Sequence, residues 1–188
     1  MAFCIGSLVG IFAAWKRGSA FDSMVSPGFM ALQAIPPVVI GMLILFVFGI
    51  SLKWFPTSYG MPEGAILNWT SWETYSGILY HAVLPLFCAT VAQIGGFLIN
   101  MRNNMINLLS EDYITMAKGK GLSENRVVLN YAARNALLPT VTALSMALGM
   151  AMGGQLVVEM IFQYPGLGTA MLNAVTAATT RYFKACSS

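Results

Sequence analysis

Charge is what this sequence has least of. Hydrophobic residues make up 57% of it and charged residues only 9%, against about a quarter charged in a soluble domain. So few charges cannot cover a water-facing surface, which excludes an ordinary soluble fold. Histidine occurs once, at His81, without acidic or cysteine partners, and reads as structural rather than catalytic. The three cysteines, Cys4, Cys88 and Cys186, show no paired spacing, and two fall in apolar segments. Neither a disulfide framework nor a zinc site is indicated. A G-x-x-x-x-G-K-[ST] phosphate loop is missing too, since Gly119–Lys120–Gly121 has neither the spacing nor the hydroxyl. No nucleophile–base pair stands out, so no catalytic residue is assigned. The net charge of +3 fits the basic loops of a membrane protein and does not point to nucleic acid.

What the chain does have is long uncharged runs. Met1–Trp15, Ser23–Leu52, Thr74–Met101 and Asn135–Val158 contain no Asp, Glu, Lys or Arg. A bilayer core about 30 Å thick needs roughly 20 apolar residues as α-helix. The last three runs are long enough, and the first reads as a helix cut off by the start of the sequence. A signal peptide fits Met1–Trp15 badly, because no basic segment precedes it and Lys16–Arg17 follow. The expectation is an all-α polytopic membrane protein with spans at about 1–15, 28–50, 81–101 and 138–162. Pro139 is expected in the first turn of the fourth span, where proline is tolerated.

The connections differ in charge. Lys16–Ser26 carries two basic residues. Lys53–Glu73 carries one, with Glu63, Pro56, Pro62 and the tryptophans Trp54, Trp69 and Trp72, residues typical of a headgroup belt. Residues 102–137 carry five: Arg102, Lys118, Lys120, Arg126 and Arg134. The positive-inside rule then places the first and third loops in the cytoplasm and the second outside. After the fourth span, residues 163–180 are uncharged but hold Tyr164–Pro165–Gly166–Leu167–Gly168, a helix-breaking cluster that reads as an external turn into another segment.

The third loop reads as two helices around a glycine break. Ser110 is expected to cap the first, with Glu111 and Asp112 on its positive end. Tyr113, Met116 and Ala117 supply a small apolar face at i, i+3, i+4. Gly119 and Gly121 end the helix beside Lys118 and Lys120, and Leu122 leads to Ser123, which caps the second helix, Glu124 to about Leu137. On spacing alone two readings stand open: a solvated basic loop, or a short helix that docks into a groove on a soluble partner.

The run EDYITMAKGKGLSENRVVLNYAARNALLP resembles the cytoplasmic loop of binding-protein-dependent ABC importer permeases of the dipeptide/oligopeptide/nickel branch. VVEMIFQYPGLGTAML, from Val157 to Leu172, is similar to that family's external turn. AIPPVVIGMLILFVFGISLKWFPTSYG, from Ala34 to Gly60, is similar to an earlier span and its external exit. The resemblance implies a type I ABC importer transmembrane domain with about four of the family's six spans present, so the chain is expected to be part of a permease. It further implies that Tyr113–Ser123 is the coupling helix that inserts into a cytoplasmic ABC ATPase. Of the family's Glu-Ala-Ala pattern, with Gly following, this chain keeps Ala117 and Gly121, while the acidic residue is absent. ATP and Mg would reside on that partner, with no cofactor on this chain. A second permease subunit, related or identical, an external solute-binding protein and membrane lipid complete the implied partners. The implied location is the cytoplasmic (inner) membrane of a prokaryote, and the implied cargo is a peptide or a similar small solute.

Several span residues are candidate pathway or gate residues. Glu159 borders the fourth span and is either functional or merely solvated at the interface. The resemblance places it, with Pro165, Gly166 and Gly168, near the external end of the pathway. Gln93, Asn100 and Gln155 either line a pathway or bond neighbouring helices. Ser145, Gly149 and Gly153 repeat small residues every four positions, a spacing that permits close helix contact. Met146, Met150 and Met152 would suit a soft-metal path, although methionine is usually apolar filler. The alternative function is thus a passive metal channel or a secondary carrier.

Overall fold

The computed structural model describes residues 1–57, 60 and 71–186, with side chains to residue 180. Pro62, Glu63 and Trp69 of the second loop lie outside the described residues, as do Ser58, Tyr59 and Ser187–Ser188. Among the described residues every regular element is helical. They are α1 (Ala2–Trp15), α2 (Ala20–Ala34), α3 (Pro37–Ile44), α4 (Trp72–Leu109), α5 (Asp112–Gly119), α6 (Glu124–Arg126), α7 (Arg134–Met152), α8 (Leu156–Ile161) and α9 (Leu167–Cys186). Two stretches widen to π-helical turns, Leu45–Ser51 after α3 and Val127–Ala133 between α6 and α7. Trp72–Leu109 and Glu124–Met152 are long and apolar enough to cross a bilayer, and α2 with the helix from Pro37 to Ser51 is a broken pair that passes the same test together. At 14 residues, α1 is shorter than a span requires.

The described residues form two compact units, Met1–Ile35 with Thr90–Ala147, and Pro36–Ala89 with Leu148–Ser188. In the first, α1 meets α4 backbone to backbone. A Cβ at Gly6 would stand 2.7 Å from the Ile94 carbonyl oxygen, and one at Gly10 2.6 Å from that of Leu98. Glycines four apart share one helix face, so this pair lets the two backbones touch. Phe3 closes the same contact edge-on against Phe97, with ring centroids 5.7 Å apart.

Next to this contact lies an apolar cluster. Ala14 of α1, Met101 and Met105 of α4, Ile114 and Ala117 of α5, and Val127, Val128 and Ala132 beyond them are all buried. One ion pair ties α2 to α4: Arg102 donates to both Asp22 carboxylate oxygens, at 2.7 and 2.9 Å. Asp22 is buried and also accepts from Ser26 Oγ at 2.8 Å and from the Gly18 amide at 3.2 Å.

The second unit packs α3 on α8, where a Cβ at Gly41 would come 2.8 Å from Ile161 Cδ1. The chain leaves the π-helical turns through Lys53, whose φ of 54° marks a left-handed residue. Phe48 lies tilted against Trp54 at 5.9 Å and edge-on to Phe87 at 6.0 Å, and Tyr80 donates its hydroxyl to the Trp54 carbonyl. Trp54 and Trp72 are largely exposed. His81 bonds the Gly77 carbonyl through Nδ1 at 2.8 Å, one turn back along its own helix.

Four local expectations change. Helix α5 begins at Asp112 with Glu111 in the cap position. Ser110 instead donates to the Asn107 carbonyl at 2.7 Å, closing the end of α4. Ser123 does occupy a cap position, but its side chain makes no capping bond. Pro139 lies well inside a helical run that starts at Glu124; it removes one backbone donor and the helix carries on. The helix expected to run from Leu138 to Phe162 stops at Met152, because Gly154 has φ +90°, which a right-handed helix cannot continue.

Candidate functional site

The loop after α4 is built around the end of α5. Lys120 follows the last helical residue, and Gly121 adopts φ +76°. The Gly121 amide returns to the Lys118 carbonyl at 2.9 Å, and the Leu122 amide to the Ala117 carbonyl at 3.4 Å. This is a Schellman ending, in which a left-handed glycine lets two otherwise orphaned carbonyls be satisfied. Half-buried Leu122 then packs on the apolar cluster.

The faces of α5 differ from the expected pattern. Ile114 and Ala117 are buried and Tyr113 half-buried, so the inward stripe is Tyr113–Ile114–Ala117. Met116 is 64% exposed and does not share it. With Lys118, Gly119, Lys120, Gly121 and Ser123, Met116 forms an outward shoulder. The shoulder stands on a fixed base. Trp15 Nε1 donates to Glu124 Oε1 at 3.1 Å, and Asn135 Nδ2 donates to the Tyr113 hydroxyl at 3.4 Å. The nine residues expected to act together therefore separate into an anchor (Tyr113, Ala117, Leu122) and a face open to contact.

In the second unit, Glu159 is neither free in solvent nor without partners. Its carboxylate accepts from the Thr169 amide at 2.7 Å and the Gly168 amide at 3.2 Å. Those amides belong to the first turn of α9, so one side chain satisfies two of the helix's unpaired donors and sets negative charge at its positive end. Gly166 permits the approach, since a Cβ there would collide with the carboxylate itself. Thr169 reinforces the turn by donating Oγ1 to the Gly166 carbonyl at 3.0 Å. An open cavity of about 610 Å³ lies beside this clamp, lined by Gly60, Glu159, Gln163, Tyr164, Pro165 and Asn173. A second of about 300 Å³ holds Gln155, Glu159 and Tyr164 with Pro85 and Leu86. Glu159, Pro165, Gly166 and Gly168 are thus brought together, with Gln155 nearby.

Gln93 and Asn100 belong to the first unit. They line a cavity of about 320 Å³ with Gln33, Gly96, Phe97 and Ala143. Asn100 Oδ1 accepts from Asn104 Nδ2 at 2.7 Å. Gly149 has open space around it, and Met146, Met150 and Met152 are 62 to 78% exposed. Within this chain Gly149 therefore makes no close helix contact among the described residues, whereas Gly6 and Gly10 make one. Their four-residue spacing was present in the sequence to be read. So was Asp22, the one acid in the first loop. Gln33 carried no signal beyond being polar in an apolar run.

A family model described as the binding-protein-dependent transport system inner membrane component matches residues 6–182. The oligopeptide transport system permease protein AppB of Bacillus subtilis is 35% identical over 175 residues, covering 93% of this chain and 53% of AppB. The di/tripeptide transport system permease protein DppB of Pseudomonas aeruginosa is 32% identical over 183 residues, covering 91% and 54%. The glutathione transport system permease protein GsiC of Shigella boydii is 36% identical over 174 residues, covering 93% and 52%. The chain spans about half the length of the curated relatives it matches.

Proposed function

Since this chain belongs to the family of binding-protein-dependent transport system inner membrane components, we propose that it is membrane-spanning machinery of an ATP-driven importer. In this reading the cargo is a peptide or a similar small solute, in keeping with the names of its relatives. The chain sits in the cytoplasmic membrane of a prokaryote, with spans near residues 28–50, 81–101 and 138–152 and the shorter apolar helix α1 beside them. Its basic loop, residues 102–137, faces the cytoplasm, and residues 163–180 lie outside. ATP and Mg belong to a separate ABC ATPase. A second permease subunit completes the pathway, an external binding protein delivers the solute, and nucleic acid plays no part.

One observation carries the reading. The shoulder of Met116, Lys118, Gly119, Lys120 and Gly121 is exposed, while Ile114 and Ala117 beneath it are locked into the apolar cluster. A docking element needs both properties, a face left free for the partner and a base stiff enough to transmit its movement. Gly119 has nothing within 4 Å of a would-be Cβ, so a partner's surface has close access to the backbone there. Glu159, by holding the first turn of α9, supplies a candidate external gate with Pro165, Gly166 and Gly168. Gln93, Asn100 and Gln155 contribute uncharged polar surface to the pathway.

The test is ATP hydrolysis by the intact permease assembled with its ATPase. Met116→Asp and Gly119→Asp place charge on the shoulder without entering the cluster. They should abolish solute-stimulated hydrolysis and uptake while the permease still inserts at normal yield. Unchanged uptake in both variants would refute the docking role. Ala117→Asp is the wrong probe, because that residue is buried and the change would undermine the loop itself.

A further inference from the structure

The cavity that holds Gln33, Gln93 and Asn100 is unusual in its lining. Gln93, Gly96 and Asn100 stand at i, i+3 and i+7, on one face of α4. Gln33 reaches them from α2 because α4 carries glycine where it passes. A Cβ at Gly95 would sit 2.9 Å from Gln33 Cγ, and one at Gly96 3.0 Å from its Nε2. Among the described residues neither the Gln33 nor the Gln93 side chain makes a hydrogen bond, and Asn100 spends its oxygen on Asn104, leaving its amide hydrogens. No charged residue lines the space.

Gln33 and Asn100 are exposed and Gln93 is half-buried, so their carboxamides are presented to the cavity, and a carboxamide offers donors and an acceptor in one plane. The group that answers both at once is another amide, above all the peptide bond. We propose that Gln33, Gln93 and Asn100 form a main-chain contact for a peptide substrate, pairing carboxamides with peptide bonds and leaving the substrate's side chains unread. The site rests on the transport reading above and gives that reading a chemical selectivity. A charged lining would favour particular side chains and hold them tightly; three neutral amides grip any peptide weakly. At about 320 Å³ the cavity is of ligand-binding size, since such sites run from about 300 to 1,000 Å³.

The experiment compares uptake of a tripeptide with uptake of the same tripeptide methylated on both peptide nitrogens. It uses the intact permease assembled with its ATPase and binding protein in lipid vesicles. Wild type should prefer the unmethylated peptide by about five-fold or more, the worth of one to two net hydrogen bonds. Gln33→Leu and Gln93→Leu should each lower uptake of the unmethylated peptide only, drawing the ratio towards one. Gly96→Ala keeps both amides and crowds Gln33, so it should move the ratio the same way even if a leucine variant assembles poorly. A wild-type ratio near one, or a ratio unmoved in all three variants, overturns the main-chain contact while ATP-dependent peptide uptake leaves the transport reading standing. If wild type carries neither peptide on addition of ATP, the transport reading itself fails and this site fails with it.

Discussion

Arg102 grips Asp22 with two nitrogens, 2.7 and 2.9 Å from its carboxylate oxygens, and joins the start of α2 to the later half of α4. Asp22 is buried, and the Arg102 side chain is 17% exposed. Planar two-point pairing of this kind is both strong and directional. Removing one partner strands the other charge. Asp22→Ala or Arg102→Ala should each destabilise the intact permease by about 3 kcal/mol, seen as a lower unfolding midpoint in detergent. The double variant should lose less than the sum, which a double-mutant cycle measures directly.

At Gly6 and Gly10 the expected effect is steric. Ala at either position sets a methyl against a carbonyl oxygen under 3 Å away, so α1 must shift along or away from α4. Each change should cost about 1–3 kcal/mol, and Gly10→Leu more. Gly149→Ala, with nothing within 4 Å, should be neutral. Unfolding of the four variants side by side decides between a packing role and a merely compositional one.

For Glu159 the useful readout is amide exchange. Glu159→Ala strips two acceptors from the first turn of α9, and a bond to a charged group is worth about 1.5–3 kcal/mol. Hydrogen exchange at the Gly168 and Thr169 amides should quicken by about ten-fold or more. Glu159→Gln keeps one acceptor without the charge and should fall between. Equal exchange in all three proteins would remove the clamp.

Gly119 and Gly121 stand two residues apart and should answer oppositely to alanine. Gly121 has φ +76°, where an L residue costs roughly 1–2 kcal/mol. Gly119 ends a right-handed helix in open space, so alanine should be tolerated or slightly stabilising. The thermal unfolding midpoint should fall in Gly121→Ala and be kept in Gly119→Ala.

Composition and spacing revealed the all-helical membrane character, the glycine break at 119–121 and the clustering of charge, because each is a local or summed property. The pairing of Asp22 with Arg102 is not local. The two are 80 positions apart, and Arg102 in sequence is one more basic residue of a loop. Periodicity likewise suggested Met116 for the inner face of α5, since methionine is apolar. The cluster instead took Ile114, and Met116 was left outside. At Glu159 the sequence left two readings open, and the structure supplies a clamp that neither described, because the donors lie in the turn after Pro165. The stop at Met152 was likewise hidden: glycine pairs occur inside apolar helices, and only the conformation of Gly154 shows that this one ends the helix.

The bond from Trp15 to Glu124 spans 109 positions of chain, and its neighbours Ala14 and Val128 bury each other's cluster. During synthesis one wall of the seat for this loop, α1, is therefore made long before the loop arrives. A peptide of residues 110–137 on its own has no surface on which to bury Ile114 and Ala117, and should be a poor mimic in solution. Whatever reads that loop reads the whole first unit, and its shape becomes available only once both ends of that long interval have met.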